Sequence, residues 1–230
     1  MTPKLITPNS EIDPGFFQGG PTILGQQEMI EKAIKKSNPD FEKVPFEQYY
    51  KDWCKLYGDA PEDMVHNIFN NIKLPERGTS DSAGHDFFIP FDLKLNCGTD
   101  ITIPTGIRSK MPKGCFLALF PRSGQGFKYR LSIVNTVGII DSDYYNANNY
   151  GHIMIKIVYD GFDNTAKMSF DNDGKIITKE NNNTHQEPFE VSAGTGFAQG
   201  IFMSYGITAT EILDGVQNKK RTGGIGSTGM

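Results

Sequence analysis

The segment Gly224-Ile225-Gly226-Ser227-Thr228-Gly229 spells GxGxxG. In a dinucleotide site that spacing lets backbone amides approach a pyrophosphate at the start of a helix. The chemistry needs a strand before the glycines and a helix after them, and here only Met230 follows. A Rossmann site is not expected. Ser169-Phe170-Asp171-Asn172-Asp173-Gly174, with Glu180 six residues past the glycine, is one residue away from a calcium loop, because Ser holds the first ligand position. Neither flank has an amphipathic helical pattern, and an Asp-Asn-Asp-Gly hairpin turn accounts for these residues without metal. Asn182-Asn183-Thr184 matches a glycosylation acceptor, which carries no weight without a secretory signal. His66, His85, His152 and His185 lack metal-ligand spacing, and there is no HExxH, so zinc chemistry is not expected. Cys54, Cys97 and Cys115 show no CxxC pairing, which points to a reduced cytosolic compartment.

The elements that must position any site fall into two regimes. Residues 1–71 read as a Pro/Gly-rich lead followed by helices, a helical N-terminal extension. Within Gly25–Ser37, Met29, Ile30, Ala33 and Ile34 share one helical stripe, and Phe46, Tyr49, Tyr50, Trp53, Leu56 and Tyr57 form a stronger one stopped by Gly58. A third helix is expected with Asp59 as cap and Pro61 in its first turn, burying Met64, Val65, Ile68 and Phe69. These stripes predict helices covering the main domain. A partner-binding module is the alternative.

From Ile72 the chain changes to short β-type segments with closely spaced turn signals: His85–Pro90, Asp100–Ile107, Cys115–Phe120, Leu131–Val134, His152–Tyr159, Lys175–Thr178 and Gly196–Met203. With 25 Gly and 13 Pro, this predicts a mainly β domain, a barrel or sandwich, over residues 72–218. The polar stretch Asp160–Glu190 reads as a surface hairpin, and residues 219–230, basic and then Gly-rich, as a mobile tail. A length of 230 residues suits one large domain or a medium domain with an appendage. The formal net charge of −4 argues against a dedicated nucleic-acid binder, but leaves a small polyphosphate open. The N-terminus lacks an apolar signal region, and the longest apolar run, Cys115 to Phe120, is far too short for a bilayer. The expectation is a soluble, cytoplasmic protein, from a cell or from a phage within a bacterial cytoplasm.

Five segments remain: Ser82-Ala83-Gly84-His85-Asp86; Pro121-Arg122-Ser123-Gly124; Gly138-Ile139-Ile140-Asp141-Ser142-Asp143-Tyr144; Phe197-Ala198-Gln199-Gly200; and Arg221 to Gly229. In order and spacing they resemble the five motifs of the homotrimeric dUTPase family, over roughly residues 72–230. The resemblance implies a dUTPase-like jelly-roll β-barrel that hydrolyses dUTP to dUMP and pyrophosphate. Such a reaction rests on charge stabilisation and positioning, and water attack needs a fixed carboxylate as general base.

By that resemblance Asp141 is the base, and Asp143 a supporting charge or turn residue. Tyr144 packs on the deoxyribose and leaves no room for a 2′-hydroxyl. Uracil is read by backbone groups of Ile139, Ile140 and Met154, with the Asn135 side chain adding a contact. Arg122, Ser123 and Gly124 hold phosphate oxygens, with Lys128 and Arg130 adding charge. Asp86 acts on Mg2+ through a water, and Gln199 bonds near the α-phosphate or its metal waters. The tail is a lid, in which Arg221, Ile225, Gly226, Ser227 and Thr228 close on base and phosphates. The resemblance further implies a homotrimer with shared active sites.

Departures from the family pattern are a longer tip, Tyr145 to Tyr150; Thr195-Gly196 in place of a charged pair; and Ile225 where an aromatic usually covers the base. Two rival readings share the fold. A dCTP deaminase needs a glutamate where this chain has Lys156, and a cation cannot take over its proton transfers. A nucleotide-sensing regulatory protein would use residues 1–71 as its contact surface.

Overall fold

The computed structural model describes residues 38–161, 167–173, 175–179 and 187–214. The aromatic stripe folds as α1 (Phe46–Tyr57), introduced by Pro45 and ended by Gly58, whose N–H donates to the Cys54 carbonyl. Pro61 immediately precedes α2 (Glu62–Asn70). This corrects the expectation that Asp59 caps it. Proline's preset φ of −55° starts the turn, and Glu62 and Asp63 meet the positive helix end. Of the four residues expected inside, Val65 is fully buried, Ile68 and Phe69 are partly buried, and Met64 is exposed, because only part of the stripe faces the strands.

A strand within the expected helical extension is a second difference. β1 (Asp40–Lys43) pairs antiparallel with β6 (Ile107–Lys110), with Phe41 buried and Glu42 opposite Arg108. That cross-strand ion pair measures 2.6 Å and is the kind of contact that fixes register. Phe41, Val44, Tyr49, Trp53 and Val65 join the strand residues Phe87, Ile103, Leu117 and Ile155 in one apolar core. The segment from residue 39 is therefore built into the β domain as well as covering it. The expected helix within Gly25–Ser37 lies outside the described residues.

The remaining strands are β2 (Glu76–Arg77), β3 (His85–Phe88), β4 (Leu93–Leu95), β5 (Thr99–Pro104), β7 (Cys115–Pro121), β8 (Leu131–Ile133), β9 (Gly138–Asp141), β10 (Met154–Tyr159), β11 (Lys167–Phe170), β12 (Ile176–Lys179), β13 (Phe189–Val191) and β14 (Gly196–Ser204). The largest sheet runs β2-β3-β14-β7-β9, and a second runs β5-β10-β8. All described pairings are antiparallel. The mainly β, jelly-roll expectation holds. On β10, Ile155, Ile157 and Tyr159 point inward with Lys156 out, the period-two pattern of a half-buried strand. Leu117, Ala118 and Leu119 are buried in succession, so β7 is covered on both faces.

The expected Asp100–Ile107 strand breaks at Thr105-Gly106, where Gly106 turns the chain at φ 72°. The expected His152–Tyr159 strand starts only at Met154, and Arg122-Ser123-Gly124 leads into an unforeseen helix, α3 (Ser123–Tyr129). β11 and β12 form the expected polar hairpin. At its turn the Asp171 carboxylate accepts the N–H groups of Asp173 and Lys175, the turn role read from sequence. The chain closes its described part with α4 (Ala209–Asp214). Cys54, Cys97 and Cys115 are free. Among the described residues no helix is long and apolar enough to cross a membrane.

Candidate active site

Among the described residues β9 is the edge strand of its sheet, with only one of its hydrogen-bonding edges laddered to another strand. β8 pairs with β10 only from Ile157 to Tyr159, and Met154 to Lys156 is laddered on the β5 side. The chain between β8 and β9 is bent sharply. Val134 N–H donates to Lys156 O, and Thr136 sits at φ 64°. Between these elements lies a cavity of about 480 Å³ lined by Asn135, Ile139, Ile140 and Met154, together with Thr102, Val137, Gly138, Ile155 and Lys156. All four residues assigned to base reading from sequence thus meet in one place. Ile139 is about half exposed, unusual for a strand isoleucine unless it lines a binding surface. Thr102 and Lys156 were not among the expected contacts. They are directly opposed across β5 and β10, and a lone lysine amid Met154-Ile155 and Ile157-Val158 was the available signal. Lys156 Nζ pairs with Asp100 at 3.0 Å.

A second, polar cavity of about 320 Å³ is lined by Ser82, Gly84, Asp86, Arg122, Ser123 and Gln199, among others. The sheet register explains the gathering. Asp86 on β3 lies opposite Gln199 on β14, which lies opposite Phe120 on β7, two residues before Arg122. Arg122 Nε contacts Asp86 Oδ1 at 3.1 Å, and Gln199 Nε2 donates to Pro121 O at 3.2 Å. Two glycines make room. A Cβ on Gly84 would lie 2.6 Å from Gln199 Oε1, and one on Gly196 2.7 Å from Arg122 Nη1. The Thr195-Gly196 departure therefore clears the space the guanidinium occupies. Beside Asp86, burial holds the His85 imidazole below its ordinary value, which favours its neutral form.

Other expected residues are not on either cavity wall. Gly124 lies in α3 and lines neither cavity. Asp141 ends β9 directly beyond Ile140 and is half-buried, opposite Phe116. Tyr144, in a short 3-10 helix over Ser142–Asn146, is 5% exposed. Its hydroxyl donates to His152 O at 2.8 Å and accepts from Asn149 Nδ2 at 2.8 Å. Lys128 and Arg130 also line neither cavity. Arg130 grips Asp160 at 2.9 Å, and the Lys128 ammonium lies over the Tyr129 ring. Their charges already have local partners. Arg221, Ile225, Gly226, Ser227 and Thr228 lie outside the described residues.

Comparison with known proteins bears on the same segments. A family profile described as dUTPase matches residues 70–160. The deoxyuridine 5'-triphosphate nucleotidohydrolase of Lactococcus lactis subsp. lactis is 32% identical over 169 residues, covering 69% of this chain and 89% of the relative. That of Desulfitobacterium hafniense is 32% identical over 162 residues, 69% of this chain and 88% of the relative. A crystal structure of dUTPase from Streptococcus mutans shows 26% identity and a TM-score of 0.47, over 73% of this chain and 97% of that one. The 70–160 match contains β3, β5, β7, β9 and β10, which help line the two cavities, while β14 with Gln199 lies beyond it, and by this match and the two 32% identities the chain belongs to the dUTPase family.

Proposed function

We propose that this protein hydrolyses dUTP to dUMP and pyrophosphate. The observation that carries the reading is the meeting of Asn135, Ile139, Ile140 and Met154 on one cavity between two strand edges. A uracil edge carries alternating hydrogen-bond groups, and an unladdered strand offers the matching main-chain donors and acceptors. Apolar walls from Ile139 and Ile140 cover its faces.

Chemistry follows from what lies next to that cavity. Asp141 takes a proton from a water whose oxygen attacks the α-phosphorus. The bond from the α-phosphorus to the bridging oxygen breaks, and pyrophosphate leaves with the electron pair. A general base of this kind contributes about 10²–10⁴-fold. Arg122 and Ser123 hold phosphate oxygens, the guanidinium through a charged fork, and Gln199 bonds near the α-phosphate. Tyr144, whose hydroxyl is tied down by His152 and Asn149, limits space on the sugar side and disfavours a 2′-hydroxyl.

Among the described residues no three of His, Cys, Asp and Glu gather as a metal cage. One carboxylate, Asp86, beside the Gln199 carboxamide fits a hard cation held mainly by polyphosphate oxygens and water. When bound, Mg2+ would neutralise charge on the polyphosphate, with Asp86 holding it through a water. The two cavities share no lining residue. Phe127 on α3 stands 93% exposed. Both features support a homotrimer in which each site is completed by a neighbouring copy, with the 221–229 segment as its lid. A cation, Lys156, at the base cavity favours hydrolysis over deamination.

Pyrophosphate and ammonia release measured for each dNTP and for UTP, with and without Mg2+, tests the proposal. Pyrophosphate from dUTP alone, in a Mg2+-dependent manner, is expected. Ammonia from dCTP, or no turnover of dUTP, overturns it.

A further inference from the structure

Two residues of the N-terminal segment reach the loop that follows Asp141. His152 is fully buried, and its ring makes two short contacts. The Gly106 N–H donates to Nε2 at 2.8 Å, and Nδ1 lies 2.7 Å from Asp52 Oδ2 on α1. A backbone N–H can only donate, so Nε2 accepts and the ring proton sits on Nδ1, directed at the carboxylate. Gln48 Nε2 donates to the same Asp52 oxygen at 2.8 Å, which fixes the carboxylate in turn. The main chain of His152 carries the connection onward, because its carbonyl accepts the Tyr144 hydroxyl. Asn149 Nδ2 donates to both the Tyr144 hydroxyl and the His152 carbonyl. A second tie is independent of the first: Glu42 Oε2 accepts the Tyr145 hydroxyl at 2.9 Å.

We propose that Asp52 is a positioning residue for catalysis: through the His152 ring it fixes the carbonyl that holds Tyr144, and so the loop that begins at Asp141. The inference rests on the dUTP-hydrolysing reading and assigns the N-terminal segment a part in that site. It follows from the chemistry of the contacts. A buried imidazole N–H that loses its acceptor must turn or recruit water, and a turned ring moves the carbonyl it carries. Positioning errors of about 1 Å cost about 10²-fold in rate.

The test compares Asp52→Ala and Asp52→Asn in the full chain. It measures kcat and KM for dUTP and UTP per folded molecule, and amide hydrogen exchange of the 142–153 and 154–159 segments. Asp52→Ala is expected to lower kcat by about tenfold or more, to narrow the dUTP-over-UTP ratio, and to speed exchange in 142–153 but not in 154–159. Asp52→Asn, whose amide oxygen still accepts the Nδ1 proton, is expected to restore most of each. Unchanged kcat, ratio and exchange in Asp52→Ala overturn the proposal. So does a loss shared equally by Asp52→Asn and by both segments. If Asp52→Ala does not fold, Gln48→Ala is measured the same way, with a loss of about threefold expected from one hydrogen bond and no change overturning the proposal. Wild-type protein without dUTP turnover would sink the functional reading alone, since the exchange comparison needs no substrate.

Discussion

The five-stranded sheet contributes to both cavities, but the apolar one is completed by the three-stranded sheet and the polar one is not. In the apolar one, β9 and β10 each use one edge in a ladder and turn the other, wholly or in part, toward the opening. The groups proposed to read a base there are mostly main chain, held in place by strand pairing. The polar cavity is a set of side chains, and its charges already neutralise each other: Arg122 and Asp86 are 43% and 19% exposed and in contact. A phosphate bound there would have to draw the guanidinium from its carboxylate, and the half-exposed pair is open to screening by salt. On the proposed reading, base selection would reside in backbone placement, and phosphate handling in replaceable charges.

The largest effect is expected where the two cavities must act together. Asp141→Asn should lower turnover by about 10²–10⁴-fold while a nonhydrolysable dUTP analogue still binds, as calorimetry would show. Equal losses in binding and turnover would make Asp141 a structural turn residue. Arg122→Ala should cost about 10–100-fold in kcat/KM, as expected for charge-assisted hydrogen bonds to phosphate. Arg122→Lys should recover only part, because an ammonium lacks the fork.

Matched small substitutions sharpen the contrast. Gly196→Ala pushes on the guanidinium and should raise KM about threefold to tenfold with Tm unchanged, because the group displaced is the far end of a flexible side chain. Ile139→Val keeps the strand and should leave kcat/KM within about twofold. If Ile139→Val proved the more damaging, base reading would depend on side chains and the contrast would collapse.

The smallest effect concerns pH. Burial raises the Asp52 carboxyl, but hydrogen bonds from His152 and Gln48 outweigh it and leave it below its ordinary value. A group depressed in the folded state stabilises fully above its unfolded value, near pH 4, and loses that contribution as pH falls through the folded value. The urea midpoint of wild type should therefore exceed that of Asp52→Asn by a constant margin from about pH 7 to 5. That margin should shrink below about pH 4. A margin independent of pH down to 3 would deny the carboxylate its charge-dependent role.

Much of this was legible from local pattern. The stripe from Phe46 to Tyr57 became α1 residue for residue, because spacing alone sets which side chains share a helix face. Motif resemblance, not periodicity, singled out Asn135, Ile139, Ile140 and Met154, and the four line one cavity. Local pattern was silent on pairing. Nothing in Asp40–Lys43 announced a partner far along the chain in Ile107–Lys110. Arg130 looked available for phosphate until Asp160, distant in sequence, proved to hold it. Tyr144 looked like a sugar contact, and the structure added the buried hydrogen bonds that hold its hydroxyl.

By itself the sequence determined the kinds of element, the residue types able to do chemistry and the family, since periodicity and motif order are properties of neighbours along the chain. Only the tertiary structure decided that Asp86, Arg122 and Gln199 share one cavity while β9 and β10 line another. The same holds for Asp52 and His152, which are 100 residues apart and meet in the core. Such placements depend on strand register and long-range burial. These are free energies of the whole packed chain, and no short stretch of residues encodes them.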